Sequence, residues 1–388
     1  MIFFIDRMRF IKAIVLLLIS LSLANCKTEE PARNHMGGQP VPPAVQPEEP
    51  EITTEKTESS EIVARLEDFF TKKARYGFNG TVLMARNGEV IFSEAYGFSN
   101  MRTKDSLSLE SAFQLASVSK PITAISVLKL YEEGLLDIED TVQQYLPEFP
   151  YPGISIRMLL NHRSGLSNYM YFSDEYWPDW EVPITNRDVL GLMAKHKPKP
   201  YYPPDRRYNY SNTNYALLAL IVEEVSQMSF EAYVKLNIFL PLDMNSSLIY
   251  NKSVHPDNFN RVKGYNSGRR EIGNTYLNGV VGDKGVYSSA IDLFKLDQAL
   301  YNGSLLADST LEMAFEPQHK DLRIWDNYGL GWRINAKDPD NKIVYHTGWW
   351  KGFHTYFIRE LGARKTLIIL SNTDRSSSMG VRDLLEMI

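Results

Sequence analysis

Apolar positions recur with different periods along the chain, and the changes of period mark out its elements. Between Ser60 and Arg75, the residues Ile62, Val63, Leu66, Phe69 and Phe70 fall on one face of a helical period, which predicts an amphipathic helix. Thr81–Ala85 and Val90–Tyr96 flank Asn87-Gly88, a dipeptide that accepts the positive φ angles of a tight hairpin turn. From about 115 to 300 the chain reads mostly as helix and loop, with helices predicted over 121–133, 186–195, 213–227, 229–238 and 289–301. Ser289 and Asp292 stand in capping-box spacing at the start of the last of these, and Asn302-Gly303 closes it. Strand-like runs return over 329–335, 342–347, 353–360 and 366–371, and a final helix is predicted over 377–388. Strands at both ends with helices between predict an α+β fold: one sheet assembled from distant parts, covered by the terminal helices, with a mainly helical region inserted.

The first 60 residues differ in kind. Arg7, Arg9 and Lys12 precede an apolar run from Ala13 to Leu23, followed by Ala24, Asn25 and Cys26. A basic start, a short apolar core and small residues form an export signal. The run is shorter than the roughly 20 residues a membrane-spanning helix needs. Residues 27 to 60 carry six prolines and many glutamates but no aromatic residue, a composition that buries too little apolar surface to fold. The expected organisation is a signal peptide over 1–25, a tether over 26–60 that begins with Cys26, and a folded domain over 61–388.

Candidate chemistry lies in three clusters: Ser117-Val118-Ser119-Lys120, Tyr210-Ser211-Asn212 and His346-Thr347-Gly348. A serine and a lysine three apart share one face of a helical turn, which brings an amine within reach of a hydroxyl. The first pattern recurs at Ser126-Val127-Leu128-Lys129 and the second at Tyr276-Leu277-Asn278, so context must choose. Pro121 is tolerated only in the first turn of a helix, which places Ser117 at or just before a helix start. Unpaired N–H groups and the positive end of the helix dipole favour charge on an oxygen there. Ser126 falls in mid-helix, where neither condition holds, and reads as an ordinary helix residue.

The order and wording of the three clusters resemble the serine β-lactamase and penicillin-binding protein superfamily, in particular its class C-like branch of DD-peptidases, β-lactamases and related esterases. Leu159-Leu160-Asn161-His162-Arg163-Ser164-Gly165-Leu166, Pro241-Leu242-Asp243-Met244 and Gly285–Leu293 are similar to signatures of that branch, and the resemblance spans about residues 61 to 388. It implies the β-lactamase/transpeptidase-like fold, an antiparallel sheet with the active site in a cleft beside the helical region. It further implies that Ser117 is the nucleophile, that Lys120 and Tyr210 share the proton transfers, and that Asn212 holds a substrate carbonyl and orients Lys120. His346, Thr347 and Gly348 would bind substrate from an edge strand beside the cleft, Thr347 bonding a carboxylate or carbonyl and Gly348 admitting the substrate backbone, and the N–H groups of Ser117 and Trp349 would form the oxyanion hole. Leu23-Ala24-Asn25-Cys26 resembles a lipobox, with Cys26 lipidated after cleavage. Plainer readings stand beside these: Asn212 as an N-cap for helix 213–227, Tyr210 as a core aromatic, His346 as a strand residue, and His162 as structural.

Composition narrows the substrate little. The net charge of −5 and the lack of a basic stripe argue against a nucleic-acid partner. Cys26 is the only cysteine, so no intramolecular disulfide forms. No clustered metal-ligand spacing appears, and neither a metal nor another cofactor is expected. Many relatives carry lysine where His346 stands, and a largely neutral imidazole weakens the case for a carboxylate-bearing lactam. Lys351 is a nearby source of positive charge. The expected activity is that of an exported serine hydrolase working through a Ser117 acyl-enzyme on a small ester, amide or D-peptide. A D-Ala-D-Ala carboxypeptidase or esterase is favoured over a β-lactamase, and a non-catalytic penicillin-binding or cell-wall-sensing lipoprotein is the rival of another class. The aromatic run from Asn168 to Trp180, with Trp349 and Trp350, is expected either to line the cleft or to pack as a lid. The sequence leaves the oligomeric state open.

Overall fold

The computed structural model describes residues 54–250, 262–376 and 379–388, with backbone alone at 54–59 and 376. The predicted signal, Cys26 and the tether as far as residue 53 lie outside the described residues. Helix α1, Thr54–Arg75, begins six residues before the predicted Ser60 start.

Among the described residues, twelve strands follow in chain order. They are β1 (Gly80–Arg86), β2 (Glu89–Tyr96), β3 (Phe98–Asn100), β4 (Asp105–Ser106), β5 (Phe113–Gln114), β6 (Leu248–Ile249), β7 (Val286–Ser288), β8 (Asn327–Tyr328), β9 (Arg333–Asn335), β10 (Ile343–Trp350), β11 (Phe353–Glu360) and β12 (Lys365–Ser371). Seven of them form one antiparallel sheet in the order β2-β1-β12-β11-β10-β9-β8. The N-terminal hairpin thus pairs with the last strand, Val82 opposite Ile369 and Leu83 opposite Ile368. Asn87 and Gly88 turn that hairpin at φ angles of 55° and 81°. Of the run predicted over 329–335 only Arg333–Asn335 is strand, because Gly331 at φ 90° folds the chain back between β8, which ends at Tyr328, and β9.

The pleat sorts β12 between two cores. Leu367 and Ile369 pack with Ile62, Leu66 and Phe70 of α1 and with Leu384 and Leu385 of the C-terminal helix Val381–Met387. Ile368 and Leu370 face a larger core shared with the inserted helices. Burial on both faces explains why this strand reads as a continuous apolar run. The helix Ala290–Tyr301 is tied to the inner face by the buried carboxylate of Asp297, which accepts from Arg359 Nε at 2.6 Å and Thr366 Oγ1 at 2.7 Å. Its N-cap is Ser289, whose Oγ accepts from the Asp292 N–H at 3.1 Å. The Asp292 carboxylate instead takes Ser246 and Ser247, so only half of the predicted capping box forms.

The inserted region begins with helices α2 (Ser119–Glu132), α3 (Val142–Tyr145), α4 (Ile156–Leu160), α5 (Tyr169–Tyr176), α6 (Asn186–His196) and α7 (Asn212–Ser226), of which α2, α5 and α7 concern the site. In α2 and α7 most positions are buried, which fits central helices of the inserted region. Among the described residues, no helix is long and apolar enough to cross a membrane.

Candidate active site

Ser117 lies in a one-turn 3-10 helix, Ala116–Val118, that runs directly into α2. Ala116 sits at φ 50°, a left-handed conformation rare for a residue with a Cβ, so the turn before Ser117 must be held from outside. The Leu115 N–H donates to the Val286 carbonyl at 2.8 Å, and the Leu115 carbonyl accepts from Thr355 Oγ1 at 2.7 Å. Gly348 supplies the third restraint. A Cβ there would lie 2.3 Å from the Leu115 carbonyl oxygen and 2.3 Å from Thr355 Oγ1. The space opened by this glycine is therefore filled by the chain's own nucleophile turn.

Lys120 is fully buried one helical turn on. Its ammonium nitrogen donates to Ser117 Oγ at 3.0 Å, Asn212 Oδ1 at 2.8 Å and the Asp283 carbonyl at 2.8 Å. Burial lowers its pKa to about 7, opposed by the Asp283 carboxylate and reinforced by Arg333. At neutral pH a large share of Lys120 is therefore free to accept a proton, while Ser117 itself stays partly exposed. The duplicate pattern behaves differently, since Ser126 is buried and donates back to the Ile122 carbonyl of its own helix. Asn278 of the second Tyr-x-Asn accepts from the Thr275 N–H in a local cap.

Tyr210 neighbours Ser117, and its ring lies 5.0 Å from Lys120 Nζ. Burial raises its pKa, so it stands as a neutral phenol that can relay a proton. The N-cap of α7 is Ser211, which leaves the Asn212 side chain free of capping and committed to Lys120. His162, at φ 60°, organises this loop. Its Nδ1 faces the Ser211 N–H at 3.3 Å and Asn214 Nδ2 at 3.1 Å, its carbonyl accepts from the Asn209 N–H, and its ring lies 4.3 Å from that of Tyr210.

His346 is buried, with Nε2 3.1 Å from the Tyr328 hydroxyl and Nδ1 2.9 Å from the Thr347 carbonyl. A carbonyl only accepts, so Nδ1 carries the proton and Nε2 receives the Tyr328 hydroxyl. Burial, Arg333 and Lys120 hold its pKa well below the usual range, and the ring is neutral. Alternation along β10 puts Thr347 with Tyr345 on the opposite face, where they line a cavity of about 430 Å³ against the C-terminal helix. β9 pairs with β10 only across Ile343–Tyr345, so among the described strands the second edge of His346–Trp350 is unpaired beside the Ser117 turn. The Trp349 side chain is exposed. Lys351 lies over the Trp350 ring at 5.3 Å.

Arg333 was not singled out by any sequence feature. It is a lone arginine in a short strand, set opposite Tyr345. Its guanidinium lies 5.6 Å from the Tyr210 ring and close to the Tyr208, Tyr328 and Tyr345 hydroxyls. It forms no ion pair among the described residues, and its buried Nε has no hydrogen-bond partner. The aromatic segment divides. Tyr169 and Phe172 are core, Tyr176 stacks on His196, and Trp180 stacks on Tyr276, while Tyr171 is exposed. Met170 brings its sulfur to 2.9 Å from Asn212 Nδ2. No group of three or more His, Cys, Asp or Glu residues is placed to hold a metal ion among the described residues.

A seven-stranded antiparallel sheet with a Ser–Lys–Tyr cluster built on a buried lysine, against an inserted helical region, is the architecture of the serine β-lactamase and penicillin-binding protein superfamily, and the chain belongs to the Beta-lactamase family, whose pattern it matches over residues 63–387. It is a serine hydrolase of that family. It is 37% identical to "Penicillin-binding protein 4*" of Bacillus subtilis over 325 residues, covering 80% of this chain and 71% of that protein. Among solved structures it is similar to a penicillin-binding protein from Bacillus halodurans, with a TM-score of 0.71 and 26% identity over 82% of this chain and 97% of that one. It is likewise similar to the octameric penicillin-binding protein homologue from Pyrococcus abyssi, with a TM-score of 0.70 and 25% identity over 80% of this chain and 74% of that one.

Proposed function

We propose that the protein cleaves a carboxylate-terminated D-peptide, in the manner of a D-Ala-D-Ala carboxypeptidase, through an ester on Ser117. The observation that carries this reading is Lys120 buried 3.0 Å from Ser117 Oγ, with the Arg333 guanidinium, which forms no ion pair among the described residues, 5.6 Å from the Tyr210 ring. Lys120 takes the Ser117 proton as Oγ bonds to the substrate carbonyl carbon. Charge on the former carbonyl oxygen is received by the N–H groups of Ser117 and Trp349. The C–N bond then breaks, and Tyr210 passes the proton to the departing amine. Water attacks the ester by the reverse route and frees Ser117 with the shortened peptide acid. Asn212 holds the acyl carbonyl, and the free edge of β10 from His346 to Trp350 lies along the substrate backbone. Arg333 meets the terminal carboxylate, a task the neutral His346 cannot perform. The Bacillus subtilis relative is named as penicillin-binding, which supports a site that accepts a carboxylate-bearing acyl donor.

An esterase is the second reading, favoured by the partly exposed Ser117 and by Trp349, exposed on β10 next to Gly348. Exposure to a fluorescent penicillin and, separately, to p-nitrophenyl butyrate, followed by intact-protein mass with Ser117→Ala as control, tests both. A long-lived penicillin adduct absent from the variant supports the peptidase. Ester turnover with neither adduct nor lactam loss moves the assignment to an esterase, and rapid lactam loss moves it to a β-lactamase. Full biological function in Ser117→Ala would instead favour a non-catalytic cell-wall sensor. We also propose that the protein is exported and held at a membrane by lipid on Cys26, on the strength of the basic and apolar pattern from Arg7 to Cys26. Mass analysis of the mature N-terminus tests this, and a mature chain starting elsewhere than Cys26 would refute it.

A further inference from the structure

The segment Gly282–Val286 brackets the start of α2. The Gly282 carbonyl accepts from Thr123 Oγ1 at 2.7 Å, the Asp283 carbonyl accepts from Lys120 Nζ at 2.8 Å, and the Val286 N–H donates to Ser119 Oγ at 3.2 Å. Between these anchors lies a second buried lysine that the proposed chemistry does not use. The side chains of Asp283 and Lys284 are 2% and 5% exposed. Lys284 Nζ donates to the Tyr169 hydroxyl, which donates in turn to Asp283 Oδ2 at 3.1 Å, and Lys284 Nζ is 3.4 Å from Asp283 Oδ1. The ammonium also lies over the Tyr169 ring at 5.1 Å and the Trp350 ring of β10 at 5.4 Å.

We propose that Asp283, Lys284 and Tyr169 form a positioning cluster in which Lys284 cancels the pull of the Asp283 carboxylate on Lys120, leaving Lys120 able to accept the Ser117 proton. This inference rests on the roles assigned above to Ser117 and Lys120. The Asp283 backbone must be where it is, because its carbonyl holds Lys120. That placement brings a buried carboxylate close to a lysine that must be neutral to work. Uncompensated, the carboxylate would favour the charged ammonium. Lys284 acts in two ways of the same sign: it neutralises the carboxylate, and its own charge repels a proton on Lys120. The other groups facing Lys120 are Tyr210 and Tyr215 from either side of the α7 start, His162 from the loop before α5, and His346 and Arg333 from the sheet. The two histidines are neutral, the tyrosines are protonated, and Arg333 acts in the same direction as Lys284. Asp283 is therefore the anion whose charge must be offset.

The test is the pH dependence of Ser117 acylation by an uncharged fluorophosphonate, in which Oγ displaces fluoride, followed by intact mass. For the parent, Lys284→Met, Lys284→Arg, Asp283→Asn and the double Asp283→Asn/Lys284→Met variant, thermal melting is recorded alongside. In Lys284→Met the acid limb should move up by about one to two pH units, given one charge removed at this range in a partly shielded interior. Labelling should be slow at pH 7 and recover at high pH. Lys284→Arg should return the limb toward the parent, Asp283→Asn should move it down, and the double variant should lie near the parent. A uniform loss at every pH in a folded Lys284→Met, or an unmoved limb in Asp283→Asn, would overturn the inference. Should Lys284→Met not fold, the Asp283→Asn and double variants decide alone. A parent protein in which Ser117 is not labelled at all would overturn the nucleophile assignment, a distinct failure that removes this inference with it.

Discussion

Gly348→Ala is the substitution whose consequence follows most directly from the geometry. The added carbon would lie 2.3 Å from the Leu115 carbonyl oxygen, 2.3 Å from Thr355 Oγ1 and 3.0 Å from Ala116 Cβ. An ordinary carbon–oxygen approach is about 3.3 Å or more, so β10 and the nucleophile turn must separate by about 1 Å. The Leu115 carbonyl cannot swing aside, because it is bonded to Thr355, and Ala116 already occupies a left-handed conformation. Overpacking of this kind costs about 1–3 kcal/mol, and a nucleophile misplaced by 1 Å loses about 10²-fold in rate. The assay is the rate of Ser117 acylation by a penicillin or an activated ester, read by intact mass, with thermal unfolding measured alongside. Acylation should fall by about two orders of magnitude, with a drop in Tm of a few degrees. Parental acylation with an unchanged Tm would refute the view that Gly348 seats the nucleophile turn. Loss of binding with acylation at saturation intact would instead return Gly348 to the role of admitting substrate.

Further tests address the charges. Acylation by the parent should rise through pH 7 as Lys120, its pKa lowered to about 7 by burial, loses its proton, and Lys120→Met should lower acylation by about 10²- to 10⁴-fold; a rate flat from pH 5 to 8 would count against Lys120 as base. Arg333→Met should raise KM for a carboxylate-terminated D-peptide by about 10- to 100-fold, the worth of a charged hydrogen bond, and leave a neutral ester little changed; equal losses on both would make Arg333 a packing residue. His162 and His346 are held neutral with pKa values well below 6.5, so the unfolded chain binds more protons than the folded one as pH falls below 6.5. Tm should therefore drop between pH 7 and pH 5, and a smaller drop in His346→Gln would confirm the source, whereas a parental drop would exclude it.

The amphipathic helix, the hairpin at Asn87-Gly88 and the strand at 366–371 were legible because each depends on residues close in sequence. Periodicity of 3.6 or 2 and a turn that tolerates positive φ are local matters. So was the start of α2 after Ser117, which Pro121 dictates, and with it the Ser117–Lys120 pairing at 3.0 Å. The order of the three clusters was enough to name the superfamily. The pairing of β1 with β12, some 290 residues apart, was not local, and neither was anything that depends on it. The tertiary structure alone turned Thr347 away from His346, filled the space at Gly348 with the nucleophile turn, and gave His346 a neutral ring by burying it between Tyr328 and the Thr347 carbonyl. It brought Arg333 beside Tyr210 and stacked Asp283, Lys284 and Tyr169 behind Lys120. A sequence lists which side chains can carry charge. Which of them do, and at what strength, depends on desolvation and on neighbours supplied by distant strands and helices, and only the assembled fold sets those.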